Sequence, residues 1–156
     1  MAALPAGHPL AQGECVTSEQ LKREHMLLLG TGHCFRDHVL QVCPEFARFS
    51  SHTEGIRKSF EGSSLETIKH MVAAGMGVTL VPRLAVPPQA LVDDAVGRSP
   101  AEPGAVRYLP VRDEDGAPPM RRVVLAWRRS FTRYEAIAAL RNAVYACTLD
   151  RATRLS

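Results

Sequence analysis

The chain has 156 residues, 46% of them hydrophobic and 22% charged, a balance that suits one domain or two small lobes with a packed core. The 19 basic and 16 acidic residues give a formal charge of +3 spread along the chain, which argues against a nucleic-acid-binding stripe or tail. No apolar run approaches the roughly 18 residues of a membrane span, and no basic stretch precedes Pro5, His8 and Pro9, so membrane and secretory readings drop out and the expected compartment is the cytoplasm.

In chain order, Met1-Ala2-Ala3-Leu4 opens as though partway through a strand. Thr17 to Glu24 predicts a short helix, and Met26 to Leu29 an apolar strand that stops at Gly30 and Gly32. From Cys34 to Phe46 the apolar residues Phe35, Val39, Val42 and Phe46 fall at helical spacing, with Arg36, Asp37 and Gln41 on the other face and Pro44 ending or kinking the helix. Ser63-Ser64-Leu65-Glu66 reads as a capping box led by Ser63, after which Leu65, Ile68 and Val72 form a buried stripe. Gly75 or Gly77 supplies the helix stop, and Val78 to Val81 a strand that Pro82 terminates.

Residues 82–119 are rich in Pro, Gly and Asp and predict surface loop with one strand, Val106 to Leu109. Arg122 to Trp127 is apolar and β-prone, hence an expected strand. Thr132 and Glu135 suggest a second capping box, followed by a helix whose face runs through Tyr134, Ile137, Leu140 or Arg141, and Val144 to near Cys147. The arginines of the last third, including Arg107, Arg112 and Arg128, fit a solvated rim. Strands alternating with helices imply an α/β fold whose mixed sheet carries helices on both faces.

Four cysteines in a cytosolic chain are reactive, metal-binding or simply buried, because thiols are kept reduced there. Cys15 and Cys147 are isolated and read as small hydrophobes. A thiol reacts as its thiolate, so it needs positive charge or a helix N-terminus beside it. Cys34 follows Gly30-Thr31-Gly32 at an expected helix start and is flanked by His33 and Arg36, which fits a reactive thiol. A buried cysteine in a first turn, with Arg36 paired to Asp37, fits the same residues. A zinc site of His33, Cys34, His38 and Cys43 is a poorer fit, because nine residues of helix separate the two cysteines. No Ser/His/Asp signature or phosphate loop is present, so catalysis and a resident cofactor are not expected.

Gly32-His33-Cys34-Phe35-Arg36-Asp37 with a second cysteine at Cys43 resembles the redox loop of LysR-type transcriptional regulators of the peroxide-sensing OxyR kind. The likeness continues in order through His8-Pro9-Leu10, Glu14-Cys15-Val16, Ser64-Leu65-Glu66-Thr67, Met71 to Gly75, Leu80-Val81-Pro82, Leu84 to Pro88, Tyr108-Leu109-Pro110 and Arg121-Arg122, from about Met1 to about Arg141. It implies a periplasmic-binding-protein-like LysR regulatory domain, mostly its second subdomain. Residues 1–120 would form that subdomain, 121–147 a return strand and helix toward a first subdomain, and 148–156 a tail, with no DNA-binding helix-turn-helix among them.

The resemblance further implies that hydrogen peroxide oxidises Cys34 and that Cys43 resolves it to a reversible disulfide, with His33, Arg36, Asp37 and Arg122 shaping the peroxide pocket. A glutaredoxin- or thioredoxin-type reductant would reset the pair. The full-length form would be a dimer or tetramer that reaches DNA only through its helix-turn-helix. The lesser alternative for Arg122 is a strand-edge surface arginine. Rival functions are a LysR-type domain binding a small-molecule effector without redox chemistry, a thiol enzyme, and a non-functional truncated fragment.

Overall fold

A computed structural model describes residues 1–49, 59–95, 104–113, 115–149 and 152–155. Its strands are β1 (Ala2–Pro5), β2 (Val16–Thr17), β3 (Met26–Leu29), β4 (Ser59–Gly62), β5 (Thr79–Leu80), β6 (Val106–Leu109) and β7 (Val111–Arg112). Its α-helices are α1 (Ser18–Leu21), α2 (Cys34–Val42), α3 (Glu45–Phe49), α4 (Leu65–Ala73), α5 (Pro88–Ala95) and α6 (Tyr134–Ala146). The chain divides into two compact units, Met1–Met120 and Arg121–Ser156.

In the first unit, β1 pairs antiparallel with β5 on one side and β6 on the other, while β3 and β4 run parallel. A parallel bridge between Met26 and Val78 joins the two sets, and the buried Thr79 hydroxyl reinforces the seam by donating to the Leu27 carbonyl at 2.7 Å. The shorter β2 and β7 pair parallel.

The period-2 alternation of the strands divides the core into two layers. Ala2, Leu4, Met26 and Leu28 point into a cluster completed by Val16, Leu21, Val39, Cys43 and Phe46. Ala3, Leu27 and Leu29 point the other way, onto Ile68, Val72, Val86 and Tyr108. Helices α1, α2 and α3 thus supply buried residues on one face and α4 on the other, a mixed α/β sheet covered on both sides. Both faces being buried explains why β1 and β3 read as continuous apolar runs.

Local signals were sound where a single residue type enforces the geometry. Pro44 separates α2 from α3, since its ring cannot continue the preceding helix. Gly77 lies where β5 approaches β3, and a Cβ there would come within 2.4 Å of the His25 carbonyl oxygen.

Several expectations are corrected. The cap of α4 is Ser64, whose hydroxyl accepts from the Thr67 amide at 3.1 Å, one residue later than the Ser63 box. A complete capping box instead forms at Thr17 and Gln20, ahead of α1. Residues 82–119 carry α5 and β7 besides β6.

In the second unit, α6 begins after Arg133 with no side-chain cap, so Thr132 and Glu135 form no box. The strand expected over Arg122–Trp127 is not formed, and residues 121–128 have no regular secondary structure. A strand exists only where a neighbour satisfies its backbone groups, and β-propensity alone supplies no such partner. Val123, Val124, Trp127, Tyr134, Leu140 and Val144 are exposed.

Candidate functional site

The site grows out of the end of β3. After Leu29 the chain turns through Gly32 at φ 95°, a left-handed conformation that glycine adopts without steric cost. His33 then takes the cap position of α2 in extended geometry, and its exposed side chain makes no capping hydrogen bond. Cys34 is the first residue of the helix and is exposed. Cys34 therefore lies at the positive end of the helix dipole and open to solvent.

Arg36 departs from the surface role it has on a helical wheel. It is 6% exposed, and its Nη1 donates to the Leu29 carbonyl at 2.8 Å and to Glu61 Oε1 on β4, also at 2.8 Å. The buried-cysteine alternative paired Arg36 with Asp37, its neighbour on the chain; parallel pairing of β3 and β4 brings Glu61 to it. Asp37 is exposed in the first turn, where the helix dipole favours an acid. Phe35 is half-buried and touches both core layers.

Cys43 closes α2 as its C-cap residue, its amide donating to the Val39 carbonyl at 2.9 Å. Its side chain is fully buried beside Val39 and Phe46. Burial pushes the thiol up to about 11, the Glu45 carboxylate adds to the rise and Lys22 opposes it. Lys22 bridges Glu19 at 2.6 Å and Glu45 at 3.0 Å, and those two partners hold its ammonium well above the usual lysine range.

The structure therefore brings His33, Cys34, Arg36 and Asp37 together at one end of α2 and holds Cys43 at the other. All four cysteines are free thiols. Arg122 is exposed in the second unit. The four residues of the zinc reading are strung along the helix, and among the described residues no group of three or more His, Cys, Asp or Glu converges as a metal site. His38 is half-buried, and its Nδ1 has no hydrogen-bond partner. Glu61 was not singled out from the sequence, because nothing local marks a lone acid in a short strand as the partner of a residue on another element.

Residues 1–146 match the LysR substrate binding domain family. The chain belongs to that family. Within LysR regulators it is 39% identical over 116 residues to the DNA-binding transcriptional dual regulator OxyR of Escherichia coli K12, covering 74% of this chain and 36% of that protein. It is 35% identical over 139 residues to the hydrogen peroxide-inducible genes activator of Dickeya chrysanthemi, covering 87% of this chain and 39% of that one. The chain thus spans well under half the length of these LysR relatives.

Solved LysR structures agree. The reduced OxyR regulatory domain from Pseudomonas aeruginosa superposes with a TM-score of 0.66 at 38% identity, covering 94% of this chain and 60% of that one. A reduced form of OxyR from N. meningitidis gives 0.73 at 33% identity, covering 93% and 60%. The chain is an OxyR-like LysR regulatory domain, and its relatives are transcriptional regulators rather than enzymes. No helix among the described residues is long and apolar enough to cross a membrane.

Proposed function

We propose that this domain senses hydrogen peroxide by forming a reversible disulfide between Cys34 and Cys43. The observation that carries the reading is the contrast along α2, with an exposed thiol at its first residue and a buried thiol at its cap. The likeness to the hydrogen peroxide-inducible genes activator of Dickeya chrysanthemi supports it.

The Cys34 thiolate attacks one peroxide oxygen, the O–O bond breaks, and hydroxide leaves to take up a proton as water while Cys34 becomes a sulfenic acid. Cys43 then attacks that sulfur, the S–O bond breaks, and a second water departs with the Cys43 proton. Two thiols have lost two electrons to one peroxide. A glutaredoxin- or thioredoxin-type dithiol returns two electrons and two protons to reset the pair. His33, Arg36 and Asp37, at the Cys34 end of α2, are the residues of the first unit proposed to shape the peroxide pocket. In a longer protein the readout would pass to a helix-turn-helix through a dimer or tetramer.

Geometry makes the step a switch. Nine residue steps at about 1.5 Å put the two α-carbons roughly 13 Å apart, whereas a disulfide tolerates about 7 Å at most. Helix α2 must unwind before the sulfurs meet, so oxidation cannot leave the fold unchanged.

Peptide mapping after mild peroxide treatment tests the reading. A Cys34 to Cys43 disulfide is expected in the unmodified chain, and a dimedone adduct on Cys34 in Cys43→Ser. A disulfide through Cys15 or Cys147, or no oxidation of Cys34 at all, overturns it; the second result would favour a non-redox small-molecule effector.

A further inference from the structure

The Arg36 guanidinium sits two residues beyond Cys34 with its side chain 7% exposed, bound at 2.8 Å to both the Leu29 carbonyl and Glu61. An arginine keeps its charge even when buried, and a cation in the first turn of a helix opposes the helix dipole. That placement therefore depends on compensation from β3 and β4. The same contacts fasten the first turn of α2 to the sheet, and this is the turn that carries Cys34. Glu61 on β4 and the Leu29 carbonyl at the end of β3 both hold the guanidinium at the sheet.

We propose that the Arg36–Glu61 ion pair is the latch of the reduced state: it holds α2 in the helical form that keeps Cys34 and Cys43 apart, and its strength sets how readily the disulfide forms. This rests on the peroxide-sensing reading above. Arg36 and Glu61 are positioning residues, since neither exchanges electrons or protons with peroxide. Drawing Cys34 toward the buried Cys43 pulls the arginine from both partners, so any free energy stored in those contacts opposes oxidation. Because Glu61 is 45% exposed, part of that free energy is screened by salt.

The test is the thiol–disulfide equilibrium of the full chain in a dithiothreitol redox buffer, read by peptide mapping, for the unmodified protein, Glu61→Gln and Glu61→Asp. Glu61→Gln should favour the disulfide by about tenfold, equivalent to a potential about 30 mV more negative, and Glu61→Asp should stay near the unmodified value. Raising ionic strength should move the unmodified chain in the same direction and Glu61→Gln much less. A shift produced by general destabilisation would not carry this salt signature, and the salt series on the unmodified chain decides the matter even if Glu61→Gln fails to fold. A Cys34 to Cys43 equilibrium that is the same in both proteins and flat with salt overturns the latch while leaving peroxide sensing intact. Absence of that disulfide in the unmodified chain at every potential overturns the sensing reading, and the latch with it.

Discussion

Cys34 and Cys43 stand at the two ends of helix α2, the first open to solvent and the second without accessible surface. Alkylation at neutral pH followed by mass mapping should label Cys34 ahead of Cys15 and Cys147, which are exposed but lack a helix start, and should leave Cys43 unlabelled until the chain is denatured. Labelling of Cys43 at the rate of Cys15 in the folded chain would contradict the burial on which the two roles are divided.

Burial raises the Cys43 thiol to about 11 in the fold, against an ordinary value of 9.0 in the unfolded chain. Between those values the folded state keeps a proton that the unfolded state has released. The contribution of Cys43 to stability is therefore complete below pH 9.0 and falls as pH rises toward 11, by up to about 1.4 kcal/mol per pH unit. Urea unfolding of the reduced chain and of Cys43→Ala across this window should show the extra downward slope only where Cys43 is present.

Oxidation should cost helix. If the disulfide unwinds α2, up to its 9 residues lose helical dihedrals, and the far-ultraviolet circular dichroism signal near 222 nm should weaken on peroxide treatment and return with dithiothreitol. The Cys43→Ser protein should keep its signal under the same treatment. An unchanged spectrum in a fully disulfide-bonded sample would mean that α2 is not the element that moves.

Gly77→Ala should destabilise the first unit by about 3 kcal/mol, because the added Cβ meets a backbone oxygen that a strand pairing holds in place rather than a side chain that can rotate away. Gly75→Ala, where a Cβ would meet nothing within 4 Å, faces only the positive φ of 76° and should cost about 1 kcal/mol. Urea midpoints for the two variants check the order; equal losses would remove the steric explanation.

The second unit exposes the large apolar side chains of Val123, Val124, Trp127, Leu140 and Val144, which favour association where they share a surface. Sizing chromatography should show concentration-dependent association, and an environment-sensitive apolar dye should bind. Val124→Lys and Leu140→Lys should reduce both effects. A dye-negative monomer at micromolar concentration would contradict this reading.

The sequence alone determined the features that depend on a residue and its near neighbours. Met26 to Leu29 reads as an apolar strand, Pro44 as the end of a helix and Gly30 to Gly32 as the break ahead of it, because a continuous apolar run, ring sterics and glycine punctuation act over a few residues. The order of motifs around Cys34 and Cys43 likewise pointed to the family from one dimension. Tertiary structure decided what depends on elements far apart in the chain. The Glu61 partner of Arg36 follows from a parallel strand register, and the burial of Cys43 from α2 and α3 closing over β3. The missing strand over Arg122–Trp127 teaches the same point in reverse: propensity prepares a segment for pairing, but hydrogen bonds to a neighbour make the strand.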